Sequence, residues 1–125
     1  MRAEEAAHRR AVEEVLDYGA DTVIVATGSA WAGDGLQSHR AELIENATSA
    51  FTPEQIMSGS RPPMGRVVVY DCDGYYVAPG IAELLAGEGY DVHLVSSLDR
   101  ISPLSDESLE GTFLRQHLHD VGIEM

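Results

Sequence analysis

The sequence predicts an α/β fold in which a parallel sheet is flanked by helices, and three observations predict it. Helix-type and strand-type patterns alternate along the 125 residues. The clearest strand candidates, around residues 23–26 and 67–70, are continuous apolar runs without alternation, the pattern of strands covered on both faces. The second run is followed by a helical pattern and a further strand within about 30 residues, which makes one right-handed βαβ unit.

The elements follow in order. "AEEAAHRRAVEEVLDY", residues 3–18, is built of good helix formers, with Ala7, Ala11 and Val15 on one face and Gly19 as a stop. "DTVIVAT", residues 21–27, reads as a short buried strand. The turn-rich "GSAWAGDGLQ" comes next, and Trp31 in it reads as a packing residue, since one large aromatic buries much area in an otherwise weak loop. In "TPEQIMSG" Thr52 is an N-cap, Pro53 the first helical residue, Gln55 the capping-box partner and Gly59 the stop. "SRPPMG", residues 60–65, is a linker, because two prolines block helix and ladder alike. Residues 66–72 form the second strand, and Val77, Ile81, Leu84 and Leu85 recur at helical spacing until Gly87 and Gly89. "YDVHLVSS", residues 90–97, is the third strand. A last helix begins at Ser105, with Asp106 and Glu107 in its first turn and Leu109, Phe113, Leu114, Leu118 and Val121 along one side. "GIEM" opens another strand.

Composition narrows the functional classes. The formal charge of −13, from 21 acidic against 8 basic residues, opposes binding to nucleic acid or to an anionic membrane and suits a basic protein partner. The only cysteine is Cys72, which rules out an internal disulfide and falls short of a zinc or iron–sulfur ligand set. A reducing, cytoplasmic setting fits. No apolar run reaches membrane-spanning length. The five histidines are scattered, and His117 and His119, two apart on a helix, point to different faces, so no metal site is expected.

Two stretches could carry a site. "VIVATGS", residues 23–29, is a strand that ends in small residues, so that Ala26, Thr27 and Gly28 could let backbone approach a ligand at the carboxyl edge of a parallel sheet; alternatively Gly28 only turns the chain. "RVVVYDCDGYYVAPGIAELL", residues 66–85, has the strand–turn–helix form of a nucleotide-binding unit. A dinucleotide fingerprint needs glycines where this turn has Asp71, Asp73 and Tyr76, or Asp73, Tyr75 and Ala78 in the other register. Two carboxylates there would also repel a diphosphate by about 1 to 4 kcal/mol per charge pair at about 4 Å. Asp71 and Asp73 read better as solvated turn formers than as an acid pair. Tyr75 and Tyr76 suit either covering the sheet or docking a partner, and Asp106, Glu107 and Glu110 read as a solvated helix start.

"GADTVIVATGSAWAGDG", "TPEQIMSG" and "RVVVYDCDGYYVAPGIAELLAGEGYDVHLVSS" together resemble the C-terminal region of the trimethylamine, dimethylamine and histamine dehydrogenase family. These are iron–sulfur flavoproteins related to the dienoyl-CoA reductases and the old yellow enzyme class. The resemblance implies a Rossmann-like fragment of two glutathione-reductase-like nucleotide-binding domains. Residues 1–51 would end an FAD- or ADP-binding-like domain, 52–65 would form the short helix and linker, and 66–125 would begin an NAD(P)-binding-like domain with a degenerate fingerprint. It further implies a larger enzyme that oxidises a C–N bond. Its N-terminal barrel domain carries FMN and a 4Fe-4S cluster, and it passes electrons to an electron-transfer flavoprotein or similar carrier. Ala26, Thr27 and Gly28 would hold ADP or FAD, NAD(P) would not bind, Tyr75 and Tyr76 would help to dock the carrier, and the full-length protein would be a homo-oligomer. None of the matched positions is catalytic in the family, so this chain alone is expected to be inactive. The alternatives are an NAD(P)H-dependent enoate or dienoyl reductase relative and a noncatalytic nucleotide- or protein-binding module.

Overall fold

The computed structural model describes residues 13–24, 28–33 and 50–125. Residues 13–17 are helical, and Gly19 ends the turn at a φ of +74°, a backbone state that costs glycine nothing. The first strand is expected over 21–27; among the described residues 21–24 form no strand, and residues 25–27 lie outside them. Apolar β-branched sequence does not make a strand unless a partner satisfies its backbone groups.

Helix α1 spans Pro53–Met57 and starts as the sequence predicts. Thr52 accepts from the Gln55 N–H, the Gln55 side chain accepts from the Thr52 N–H at 2.8 Å, and Gly59 leaves the helix at a φ of +96°. The linker that follows is pinned at both ends. Arg61 forms a two-pronged pair with Glu88 at 2.5 and 2.7 Å and donates to the Ile56 carbonyl at 2.6 Å, while the Tyr90 hydroxyl donates to the Pro62 carbonyl at 3.0 Å.

Strand β1 (Arg66–Asp71), helix α2 (Val77–Gly87) and strand β2 (Asp91–Ser96) form the predicted βαβ unit, with the strands parallel and Val67 opposite Val92. "GIEM" does add a third strand position. Glu124 makes a parallel bridge to His93, its carbonyl accepting from the Leu94 N–H at 2.8 Å, so β2 lies between β1 and residue 124. A short 3-10 helix (Pro103–Asp106) and helix α3 (Gly111–Asp120) complete the chain.

One face of the sheet carries the core. Val92 and Leu94 of β2 pack with Ile81, Ala82 and Leu85 of α2, Leu118 of α3, and Ile56, Ile101 and Ile123. Leu85, Leu94 and Leu118 are almost fully removed from water, each worth about 1.5 to 3 kcal/mol of burial. The other face departs from the expectation of two-sided cover, since Val68 is 62% and Val95 47% exposed.

The last helix also begins later than expected. The sequence pattern is continuous from Ser105, but Leu109 adopts a φ of +64° and breaks it, so that α3 starts at Gly111. Asp106 and Ser105 pack closely on the first residue of α3, where a Cβ on Gly111 would stand 2.0 Å from Asp106 Oδ1 and 2.9 Å from Ser105 Oγ. Holding a leucine in that conformation costs about 1 to 2 kcal/mol. Leu109→Gly is therefore expected to stabilise the chain by about 1 kcal/mol, whereas Leu118→Ala should cost about 2 to 5 kcal/mol. Urea denaturation of the two variants checks both signs.

Candidate nucleotide-type site and its internal carboxylate

The turn between β1 and α2 is where a dinucleotide unit would receive its pyrophosphate, on backbone N–H groups at the start of a helix. Here the chain brings its own anion. Asp71, the last residue of β1, is fully buried. Its Oδ1 accepts from the Gly74 N–H at 2.8 Å and its Oδ2 from the Ser102 N–H at 3.2 Å. The reading of Asp71 as a solvated turn former is thus corrected. Asp71 shares the inward face of β1 with Val67 and Val69, whereas Asp73 lies past the strand end, in the turn, and is exposed.

The segment after β2 closes over the turn. Ser96 Oγ donates to the Asp71 carbonyl at 3.0 Å and accepts from the Leu98 N–H at 3.1 Å. Ser102 Oγ donates to the Tyr75 carbonyl at 2.6 Å, and the Leu104 N–H donates to the Gly74 carbonyl at 3.1 Å. Ser102 and Ser105 are fully buried and joined by a 2.6 Å hydrogen bond. Gly74 is required in this arrangement: its φ is +75°, and a Cβ would meet Leu98 Cδ1 at 2.7 Å. Leu98 and Pro103 therefore pack directly against the turn at Gly74.

The acidic residues divide: Glu107 and Glu110 are exposed, with Glu110 at the start of α3 as a solvated helix start would have it, whereas Asp106 is half-buried and paired. Arg115 donates to Asp106 at 2.6 Å and to the Ile101 carbonyl at 3.1 Å, and Arg100 adds a second contact to Asp106 at 3.3 Å. The guanidinium of Arg115 holds the Asp106 carboxyl below its ordinary range. Glu110 accepts a short hydrogen bond from the Tyr76 hydroxyl and a 2.8 Å bond from Ser108 Oγ. That pairing holds the Glu110 carboxyl below its ordinary value and pushes the Tyr76 phenol up to about 12, because ionising the phenol would set two anions together. The Tyr75 and Tyr76 rings lie 3.9 Å apart at 41°, and both are partly exposed.

Of the predicted nucleotide-holding residues, Ala26 and Thr27 lie outside the described residues. Gly28 has a φ of +81°, and nothing stands within 4 Å of where its Cβ would be. That is the combination that lets a backbone approach a ligand. Trp31 is near α1, its N–H donating to Glu54 at 3.0 Å. With Phe51, Pro53 and Ala78 it lines a largely apolar cavity of about 430 Å³ beside β1. His93 sits between Asp91 and Glu124, and His117 meets Glu83 at 2.9 Å. Among the described residues no group of histidine, cysteine and carboxylate side chains could hold a metal ion, and no helix is long and apolar enough to cross a membrane.

Sequence reasoning missed Ser102, Ser105 and the Tyr76–Glu110 pair. Only the serines left a trace, in the "SPLS" spacing that lets Ser105 Oγ bond back to the Ser102 carbonyl three residues earlier.

A parallel βαβ unit with a nucleotide-type turn and a built-in carboxylate defines an α/β domain, and the comparisons with known proteins agree. Residues 51–125 match the family model of the OYE-like second alpha/beta domain, and the chain belongs to that family. It is homologous to dimethylamine dehydrogenase of Hyphomicrobium sp. (strain x), with 32% identity over 117 residues, 90% of this chain and 16% of that protein. A multifunctional alkene reductase/demethylase of Caballeronia cordobensis is 37% identical over 87 residues, covering 70% of this chain and 12% of that protein. Among solved structures, histamine dehydrogenase from Rhizobium sp. 4-9 superposes with a TM-score of 0.73 and 33% identity over 90% of this chain and 18% of its own. The 6-hydroxypseudooxynicotine amine oxidase from Pseudomonas geniculata N1 gives 0.77 and 37% over 90% and 17%. The chain therefore spans less than a fifth of the length of these relatives.

Two outcomes are expected. Asp71→Ala leaves two buried N–H groups unpaired and should destabilise the chain by about 2 to 5 kcal/mol, measured by urea denaturation. In a spectrophotometric alkaline titration, one phenol should ionise late, near pH 12, and Glu110→Gln should return it to the ordinary tyrosine range. The raised Tyr76 value means that its contribution to stability is complete below the unfolded phenol value of about 10. That contribution is lost as the pH rises toward 12.

Proposed function

We propose that this chain is part of a flavin-dependent amine dehydrogenase, in which it holds an adenine nucleotide and acts as scaffold while electrons leave for a carrier protein. The homology to dimethylamine and histamine dehydrogenases over 90% of the chain supports the class. The observation that carries the choice within the class is the Asp71 carboxylate on the Gly74 N–H, with Leu98 above it. A hydride-exchanging reductase needs that position for a nicotinamide nucleotide, and an enzyme that passes electrons to a protein does not.

On this reading residues 1–51 end an FAD- or ADP-binding domain, with Ala26, Thr27 and Gly28 beside the pyrophosphate or ribose. Residues 52–65 link it to the start of a Rossmann-like domain at 66–125 that no longer takes NAD(P). FMN and the 4Fe-4S cluster belong to a barrel domain elsewhere in the parent enzyme, which works in the cytoplasm as a homo-oligomer and docks an electron-transfer flavoprotein through Tyr75 and Tyr76. The similarity to an alkene reductase keeps an NAD(P)H-dependent reductase as the second reading.

One set of measurements on the intact protein separates the two. The dehydrogenase reading expects a flavin spectrum, bound iron and amine-dependent reduction of an acceptor. It also expects no binding of NADH tighter than about millimolar, an affinity of only about 4 kcal/mol. Gly28→Val should lower the adenine nucleotide released on denaturation, and replacing both tyrosines with alanine should slow transfer to the carrier. Micromolar NADH binding would overturn the dehydrogenase reading in favour of the reductase.

A further inference from the structure

We propose that Leu104, Leu109, Phe113 and the Tyr75–Tyr76 pair form one docking surface for a protein that presents an apolar centre ringed by lysine and arginine. The proposal rests on the reading of Tyr75 and Tyr76 as docking residues, and it specifies the surface they belong to and the chemistry of what it receives.

Backbone and side-chain bonds bring these residues together around Glu110. The Leu104 N–H donates to the carbonyl of Gly74, the residue before Tyr75, and the Tyr76 hydroxyl reaches Glu110. Ser108 bonds the same carboxylate, Leu109 lies between Ser108 and Glu110, and Phe113 follows Glu110 by three residues, on the same side of α3. Leu109 is 82% and Phe113 77% exposed, and Leu104 and both tyrosines are also on the outside. Scattered exposed apolar residues are ordinary, but several large ones around a single carboxylate mark an interaction surface. Leu109 in addition occupies a left-handed backbone state while giving nothing to the core, so folding does not account for a leucine there.

Charge selects the occupant. Asp73, Glu107 and Glu110 are exposed, and each lies within two residues of a patch residue along the chain. Over residues 99–115 there are four acids (Asp99, Asp106, Glu107, Glu110) against two arginines, and both arginines are engaged, Arg100 by Asp99 and Asp106 and Arg115 by Asp106. The carboxylates Glu107 and Glu110 thus have no cation of this chain among those pairs. A second copy would set acid against acid and an anionic membrane would be repelled, whereas a basic rim is attracted and steered.

The test uses fluorescence anisotropy of the intact protein with two labelled synthetic helical peptides that share a leucine and phenylalanine face, one flanked by lysines and one by glutamates. The lysine peptide should bind at least about tenfold more tightly than the glutamate peptide and weaken as salt is raised. Leu109→Ser, Phe113→Ser and Glu107→Lys should each weaken it by about fivefold or more. All three positions are exposed, so unchanged thermal melting will show that the variants fold. Equal binding of the two peptides, binding of neither, or indifference to Phe113→Ser would overturn the proposal. Binding to the 125-residue chain but not to the intact protein would reassign the patch to an internal contact, and self-association abolished by Phe113→Ser would reassign it to a second copy; either result refutes a separate partner. Flavin, iron and amine oxidation test the parent reading separately, so either idea can fail while the other stands.

Discussion

The fold turns on one buried carboxylate. Asp71 ends β1 inside the protein, and a charge in that position survives only if donors replace the water it has lost. Gly74 and Ser102 supply them, while the Asp71 carbonyl receives Ser96. The end of β1, the start of α2, the end of β2 and the segment leading to α3 are thereby drawn to one point. Leu98 can lie on Gly74, and Ser102 and Ser105 can be buried without an unpaired polar atom, because this point is held.

The same interaction settles what the turn can do. A strand–turn–helix unit offers backbone N–H groups to an anion, and in this chain the anion is covalently part of the strand. Its effective concentration is far above that of any free phosphate, and Leu98 and Pro103 pack against the same turn. Gly28, with a positive φ, lies outside the βαβ unit.

Around this centre the polar contacts sort by exposure. The Arg61–Glu88 and Arg66–Asp91 pairs are solvent-facing and contribute little to stability, although the first fixes the linker against α2. The Arg115–Asp106 pair has a stronger structural role, since Arg115 also satisfies the Ile101 carbonyl beside the buried Ser102. Tyr76 and Glu110 join the α2 turn to the start of α3, which orders the outer surface without adding to the core.

The sequence by itself determined the elements whose signals are local. The Thr52–Gln55 capping box, the helix at Val77–Gly87, the strands on either side of it and the return at "GIEM" each have a pattern readable within a few residues, and all are present, although the strands pair across the helix. The degenerate turn was legible in the same way, because missing glycines are visible without a structure. Only the tertiary structure decided the rest. Asp71 is buried because its partner Ser102 lies 31 residues away, a pairing that no local window contains. The last helix starts at Gly111, after Leu109 takes a left-handed conformation, although the apolar periodicity runs on unbroken from Ser105. Residues 21–24 have the composition of a strand but form none among the described residues, since ladder hydrogen bonds are supplied by another segment and not by the residue types themselves.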